Sequence, residues 1–338
     1  MKKHIILFLL AFADIALFFL MNNTESFWTM ALFAGFLWLT LAVSLKYICD
    51  RIEKSKVRAW IKRLIAAAAG IVEVAAMICA LIFCLQDITL FFPNSDPGSY
   101  QYLMSRQEYS EISFTDNGKV YHGIMKADSQ AEPAPLIIMF IGNGQNAAQT
   151  MRAMGPAGMW ESLLDYNCLI MDYPGYGLNK GRPSAASICK EALLAYDYAS
   201  SLPYVDESRI IAGGFSIGTG PAAYLAANRD VAGLFLLAPF ANAYDVYNSV
   251  LPIFHGPLRL LVKHKFRTDK LAPSITAPVL IVASENDEVV PFSSSEKLKA
   301  CFPTEPTFVT LTGVMHNGIL FNKKTLESIK DYLESCFR

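Results

Sequence analysis

Charge is scarce in this chain. Its 30 acidic and 29 basic side chains make up 17% of 338 residues, where an ordinary globular protein carries roughly a quarter. The deficit excludes a single soluble domain of this length. Neither sign dominates, and a formal net charge of −1 leaves no basic field to draw nucleic acid. Cysteines are few as well. The seven form no close C-x-x-C pairs, so spacing gives neither a zinc site nor a disulfide framework. An external location would permit Cys301 and Cys336 to pair, but the sequence leaves that open. No metal and no organic cofactor is called for.

What the chain has in quantity is apolar runs, with 53% hydrophobic residues concentrated towards the N-terminus. Ile5–Met21, Phe27–Leu45 and Leu64–Leu85 each approach the length that spans a bilayer. The first holds Asp14, which costs roughly 3 kcal/mol near a span's centre. Its twelve Ile, Leu and Phe residues each return roughly 0.3–0.6 kcal/mol, so insertion wins narrowly. Between the second and third runs lie Lys46, Arg51, Lys54, Lys56, Arg58, Lys62 and Arg63, whereas Asn22–Ser26 has no basic residue. The positive-inside rule makes the basic connector cytoplasmic and puts everything after Phe92 on the outer face. Residues 1–92 are thus expected to be a multi-pass membrane anchor of three transmembrane helices. The cluster Pro93-Asn94-Ser95-Asp96-Pro97-Gly98 reads as a linker into a domain over 93–338.

In that domain, Tyr109–Phe114 and Val120–Met125 flank Asp116-Asn117-Gly118, a hairpin signal. Short continuous apolar runs follow at Leu136–Ile141, Cys168–Met171, Ile210–Ala212, Leu234–Leu237, Val279–Val282 and Phe308–Leu311. They are too short for helices and lack alternation, so they read as strands buried on both faces. Segments of helical length separate them, at Ser187–Ser200, Gly218–Asn228, Ser294–Cys301 and Lys323–Cys336. The pattern predicts an α/β fold, a mostly parallel sheet with helices on both faces and an antiparallel hairpin at its start. Ligands of such sheets bind beyond the carboxyl ends of the strands.

The Ile210 run ends in Gly213-Gly214-Phe215-Ser216-Ile217-Gly218, with Ser216 at the centre of G-x-S-x-G. Bare, the pattern arises by chance about once in ten to twenty chains of this glycine content. Here a strand precedes it and a helix follows, the context in which a sharp turn lifts a serine hydroxyl clear. A serine needs a base to take its proton. Of five histidines, His316 alone follows the final strand, in a turn facing the elbow. An acid must orient that ring, and Asp287, after the Val279–Val282 strand, completes the order Ser, Asp, His. Glu288 and Glu296 read better as caps of the next helix. A tetrahedral intermediate needs two N–H donors. One is Ile217, at the helix N-terminus, and the second is expected from the turn Gly142-Asn143-Gly144, through the backbone of Asn143.

At these residues the chain resembles the α/β-hydrolase superfamily, within it the serine-aminopeptidase-like hydrolases and the membrane-anchored α/β-hydrolase-domain proteins. The likeness spans about residues 105–336 and includes Asp172-Tyr173-Pro174-Gly175-Tyr176-Gly177, Gly181-Arg182-Pro183-Ser184, Glu285-Asn286-Asp287-Glu288-Val289-Val290-Pro291 and Met315-His316-Asn317. The resemblance implies an α/β-hydrolase fold with Ser216 as nucleophile, Asp287 and His316 as its partners, and Asn143 with Ile217 as oxyanion donors. Ile141 departs from it, since relatives commonly carry a histidine there that supports the loop. Residues 241–274 match the variable insertion that covers the pocket as a cap. The expectation is a membrane-anchored serine hydrolase cleaving small or lipid-like acyl esters or thioesters through an acyl-enzyme. Alternatives are a peptidase of the aminopeptidase type and a catalytically silent scaffold.

Overall fold

The computed structural model describes residues 7, 9–17, 27–127, 132–163 and 166–336, which separate into two compact units, 1–86 and 87–338.

The first unit is helical. Phe27–Glu53 and Ala59–Leu90 are long helices, and within them Leu32–Glu53 and Ala59–Asp87 are long and apolar enough to cross a membrane. Trp38, Leu64, Ile71, Val72 and Leu81 are exposed around these helices. Side chains apolar on every face suit lipid rather than water. Among the described residues there are two such helices, not the three expected. Of Ile5–Met21, the structure describes helix at 7 and 9–17, and the rest lies outside the described residues. The basic connector is also shorter than expected. Lys46 and Arg51 sit on the first helix, Lys62 and Arg63 on the second, because Lys and Arg extend helices readily.

The second unit is built on eight strands: β1 (Tyr109–Asp116), β2 (Lys119–Lys126), β3 (Ala134–Phe140), β4 (Asn167–Met171), β5 (Val205–Phe215), β6 (Gly233–Leu237), β7 (Val279–Ser284) and β8 (Thr307–Leu311). Their order in the sheet is β1-β2-β4-β3-β5-β6-β7-β8, parallel except where β2 pairs with β1 and β4. Asn117 and Gly118 turn the hairpin with positive φ. Every residue of β4, β6 and β7 is buried, which is why these strands read as unbroken apolar runs. β5 begins five residues earlier than its apolar run, at the buried Val205, because the intervening Asp206–Arg209 is polar and partly exposed.

From β3 the chain steps outward to β4, then returns to place β5 on β3's other side. Loops leaving the carboxyl ends of β3 and β5 therefore diverge and leave a crevice, the place where open α/β sheets bind ligands. Residues 241–274, between β6 and β7, fold into short helices at Ala243–Val250 and Thr268–Leu271 and a 3-10 stretch at Gly256–Leu261.

Candidate active site

β5 ends at Phe215, and Ser216 turns sharply into the helix Thr219–Asn228 with φ +55°. A side chain held there costs about 1–3 kcal/mol and persists only where packing enforces it. Two glycines do so. A Cβ on Gly214 would lie 2.5 Å from the Gly218 carbonyl oxygen, and one on Gly218 would lie 2.2 Å from that of Phe140. The elbow is thus pressed against the end of β3. Ser216 is buried at 8% exposure, and Thr219 Oγ1 donates to its carbonyl at 2.7 Å.

His316 opens a short 3-10 turn after β8. Its Nε2 lies 2.8 Å from Ser216 Oγ, and its Nδ1 lies 2.8 and 2.9 Å from the two Asp287 carboxylate oxygens. An Nδ1–H donated to a carboxylate leaves Nε2 with a lone pair for the serine hydroxyl. Asp287 also accepts from the Val289 and Val290 amides, both at 2.8 Å, and the Phe215 ring stacks on the imidazole at 5.2 Å. Residues separated by 71 and 29 positions meet because each sits in the turn that ends its strand, β5, β7 and β8 respectively. His122 and His264 are held elsewhere, by Glu111 and Asp87.

The acid and histidine turns are bolted together. Ser284 Oγ donates to the Val314 carbonyl, and the Gly313 amide donates to Asn286 Oδ1 at 2.6 Å. Glu288 does not cap the following helix, Phe292–Lys299, whose N-cap is Pro291 and which has no side-chain cap. Its Oε2 instead accepts the His316 amide at 2.8 Å. A contact across 28 residues leaves no mark in local sequence.

The turn after β3 brings Asn143 to the same cavity as Ser216 and Ile217. The Asn143 side chain is fully engaged. Its Oδ1 accepts from Tyr176 at 2.8 Å and from the Phe92 amide at 3.0 Å, and its Nδ2 donates to the Leu90 carbonyl. Gly142 N–H donates to Gln145 at 3.0 Å, and the Tyr173 hydroxyl donates to the Ile141 carbonyl at 2.8 Å. These bonds brace the loop that carries Ile141. Burial pushes the Tyr176 phenol up to about 12, so it stays a donor. Asp172 anchors the same region by accepting from Ala147 and Leu178 amides at 2.8 and 3.0 Å.

The cavity over Ser216 measures about 330 Å³. Leu90, Phe92, Phe240, Val246, Phe266 and Val289 give it an apolar wall, two of them from the segment that joins the long helix to the sheet. Among the described residues, no group of three or more His, Cys, Asp or Glu side chains is placed to hold a metal ion. Cys301 and Cys336 are not joined by a disulfide.

A mostly parallel eight-stranded sheet, a sharp turn at Ser216 after β5 and a segment of short helices after β6 are the features of the α/β-hydrolase fold. No family model matches the chain. It is 28% identical over 274 residues to an uncharacterized protein of Mycobacterium tuberculosis, covering 80% of this chain and 95% of that protein. To the alpha/beta hydrolase domain-containing protein aho-3 of Caenorhabditis elegans it is 28% identical over 171 residues, 51% of this chain and 50% of the other. Among solved structures, Est1E from Butyrivibrio proteoclasticus with bound ferulic acid superposes with a TM-score of 0.55 at 21% identity, over 66% of this chain and 98% of its own. The chain has the fold of the α/β hydrolases and is similar in sequence to alpha/beta hydrolase domain-containing proteins.

Proposed function

We propose that the protein is a membrane-anchored serine hydrolase that cleaves carboxylic esters or thioesters carrying an apolar acyl group. The observation that carries this reading is the unbroken chain of hydrogen bonds from Ser216 Oγ through His316 to Asp287, all at 2.8–2.9 Å and opening on an apolar cavity. Ser216 attacks the acyl carbonyl while His316 Nε2 takes its proton, and Asp287 holds the imidazole and offsets its charge. The backbone N–H groups of Ile217 and Asn143 receive the oxyanion, with the positive end of the helix Thr219–Asn228 behind it. His316 returns the proton to the leaving group. Water then attacks the acyl-enzyme by the same steps.

The helices ending at Glu53 and beginning at Ala59 serve as membrane spans, and the cations around their junction lie on the cytoplasmic side. Residues from Asp87 onward are then extracytoplasmic. A neighbour in fold, Est1E, binds ferulic acid, which favours a small carboxylic-acid derivative as substrate, and the 330 Å³ cavity suits one acyl group rather than two chains.

The test is a series of p-nitrophenyl esters of increasing acyl length. Each buried methylene contributes about 0.8 kcal/mol, so kcat/KM rises about fourfold per carbon until the cavity is full. A fluorophosphonate probe labels the wild type and not Ser216→Ala. Folded wild-type protein that neither labels nor turns over any ester refutes the reading and favours a silent scaffold.

A further inference from the structure

The cap leaves a cluster of apolar side chains uncovered. Val250 is 83% exposed and Leu260 74%, with Leu251 at 47% and Leu258 at 41%. Gly256–Leu261 has three leucines among its six residues and buries none of its side chains. Soluble surfaces rarely gather large apolar residues so closely without a partner. Cations accompany them. From 251 to 271 the chain carries Arg259, Lys263, Lys265, Arg267 and Lys270 against the single acid Asp269. Leucines interleaved with Arg and Lys are the composition of segments that lie in a membrane interface.

A second observation fixes where this segment is held. Asp87 is the last residue of the membrane-spanning stretch Ala59–Asp87. Its Oδ2 accepts from Lys263 Nζ at 2.7 Å, and its Oδ1 accepts from His264 Nε2 at 2.6 Å. His264 is 2% exposed, with the Phe91 ring edge-on at 4.8 Å, so the link is shielded from water. The residue that closes this apolar stretch is therefore bonded to the cap three positions beyond Leu260. Three residues of chain reach at most about 11 Å, and the headgroup layer adds roughly 5–8 Å on each side of the hydrocarbon.

We propose that Val250, Leu251, Leu258 and Leu260 form a docking surface that seats the cap in the interfacial layer of the bilayer its own anchor crosses. This rests on the functional reading above and deepens it. Val250, Phe92 and Val289 belong both to the wall of the Ser216 cavity and to the exposed surface. With Val250 in the interface, the cavity draws its acyl ester from the bilayer rather than from water. The substrate class is a single-chain ester or thioester dissolved in the membrane.

The test uses the full chain in vesicles of phosphatidylcholine and phosphatidylglycerol. In Leu260→Trp, the emission added over the wild type is quenched by lipids brominated near the headgroup end of the acyl chain and spared by aqueous acrylamide. Quenching by acrylamide alone, or by neither, overturns the docking, the latter because a protein surface then covers the residue. In a second arm, Leu258→Ser/Leu260→Ser lowers kcat/KM about tenfold or more for a long-chain ester dissolved in the vesicles, and leaves a water-soluble butyrate ester unchanged. Equal rates for variant and wild type on both esters overturn the proposal. Hydrolysis of neither ester by the wild type counts instead against Ser216 as a nucleophile, and the quenching arm still decides the docking.

Discussion

Adding one methyl group at Gly218 should disable the enzyme without unfolding it. A Cβ there would stand 2.2 Å from the Phe140 carbonyl oxygen, 2.5 Å from its carbon and 2.7 Å from the Ile141 oxygen, where ordinary contact begins at 3.4 Å. All three are backbone atoms at the end of β3, which is paired with β4 on one side and β5 on the other. The sheet cannot yield, so the elbow must, by about 1 Å. Ser216 lies two residues upstream, and its 2.8 Å hydrogen bond to His316 does not survive a shift of that size unchanged. A misplacement of about 1 Å costs roughly a hundredfold in rate, or about 2.7 kcal/mol of transition-state stabilisation. Overpacking itself costs about 1–3 kcal/mol of stability. The assay compares kcat on a short p-nitrophenyl ester with the thermal midpoint from circular dichroism. Gly155→Ala serves as control, because its Cβ would meet only the Trp160 ring, at 3.4 Å or more, and its φ is −60°. Gly218→Ala with wild-type kcat and a lowered midpoint would show that the clamp on β3 does not set the serine's position.

Three other changes report on the surroundings of the site. Glu288→Ala removes the acceptor of the His316 amide; at about 1 kcal/mol for an exposed acceptor, kcat falls about fivefold with KM little changed, and Glu288→Gln restores it. Equal losses in both variants would point to charge rather than positioning. Tyr176→Phe strips Asn143 and the Phe92 amide of one partner each and lowers stability by about 1–3 kcal/mol, measured by denaturant titration; an unchanged midpoint would exclude this bracing. Burial holds the Glu191 carboxyl well above its usual range, with Oε2 unpaired. The folded chain keeps that proton while the unfolded chain releases it near the ordinary carboxylate value, so stability is lost as pH rises past it. Glu191→Gln therefore raises the melting temperature at pH 7.5 and not at pH 4, and an equal gain at both would refute the assignment.

The parts legible in sequence were those where one local cause acts. Leu234–Leu237 and Val279–Val282 read as strands because both of their faces are buried, and Asn117-Gly118 read as a turn because its backbone demands positive φ. Ser216, Asp287 and His316 were each singled out from the turn after a strand, and the sheet order brings them to hydrogen-bonding distance. What escaped were long-range pairings. Nothing near Glu288 points to the His316 amide, and Asp87 and Lys263 meet across 176 residues. Asn143 was expected to act through its backbone, and nothing local marked its side chain as the tie to Leu90 and Phe92. Helix ends were blurred for another reason: Lys46, Arg51, Lys62 and Arg63 read as loop by charge but continue helices by propensity.

That tie governs what proteolytic shedding could release. A cut at Pro93 would separate the Leu90 carbonyl and the Phe92 amide from Asn143 and Tyr176, stranding polar groups in a closed space. It would also strip away one side of the cavity over the serine. The freed body would keep Ser216, Asp287 and His316 but lose part of the apolar wall around that cavity. Only a cut upstream of Asp87 would liberate a whole enzyme.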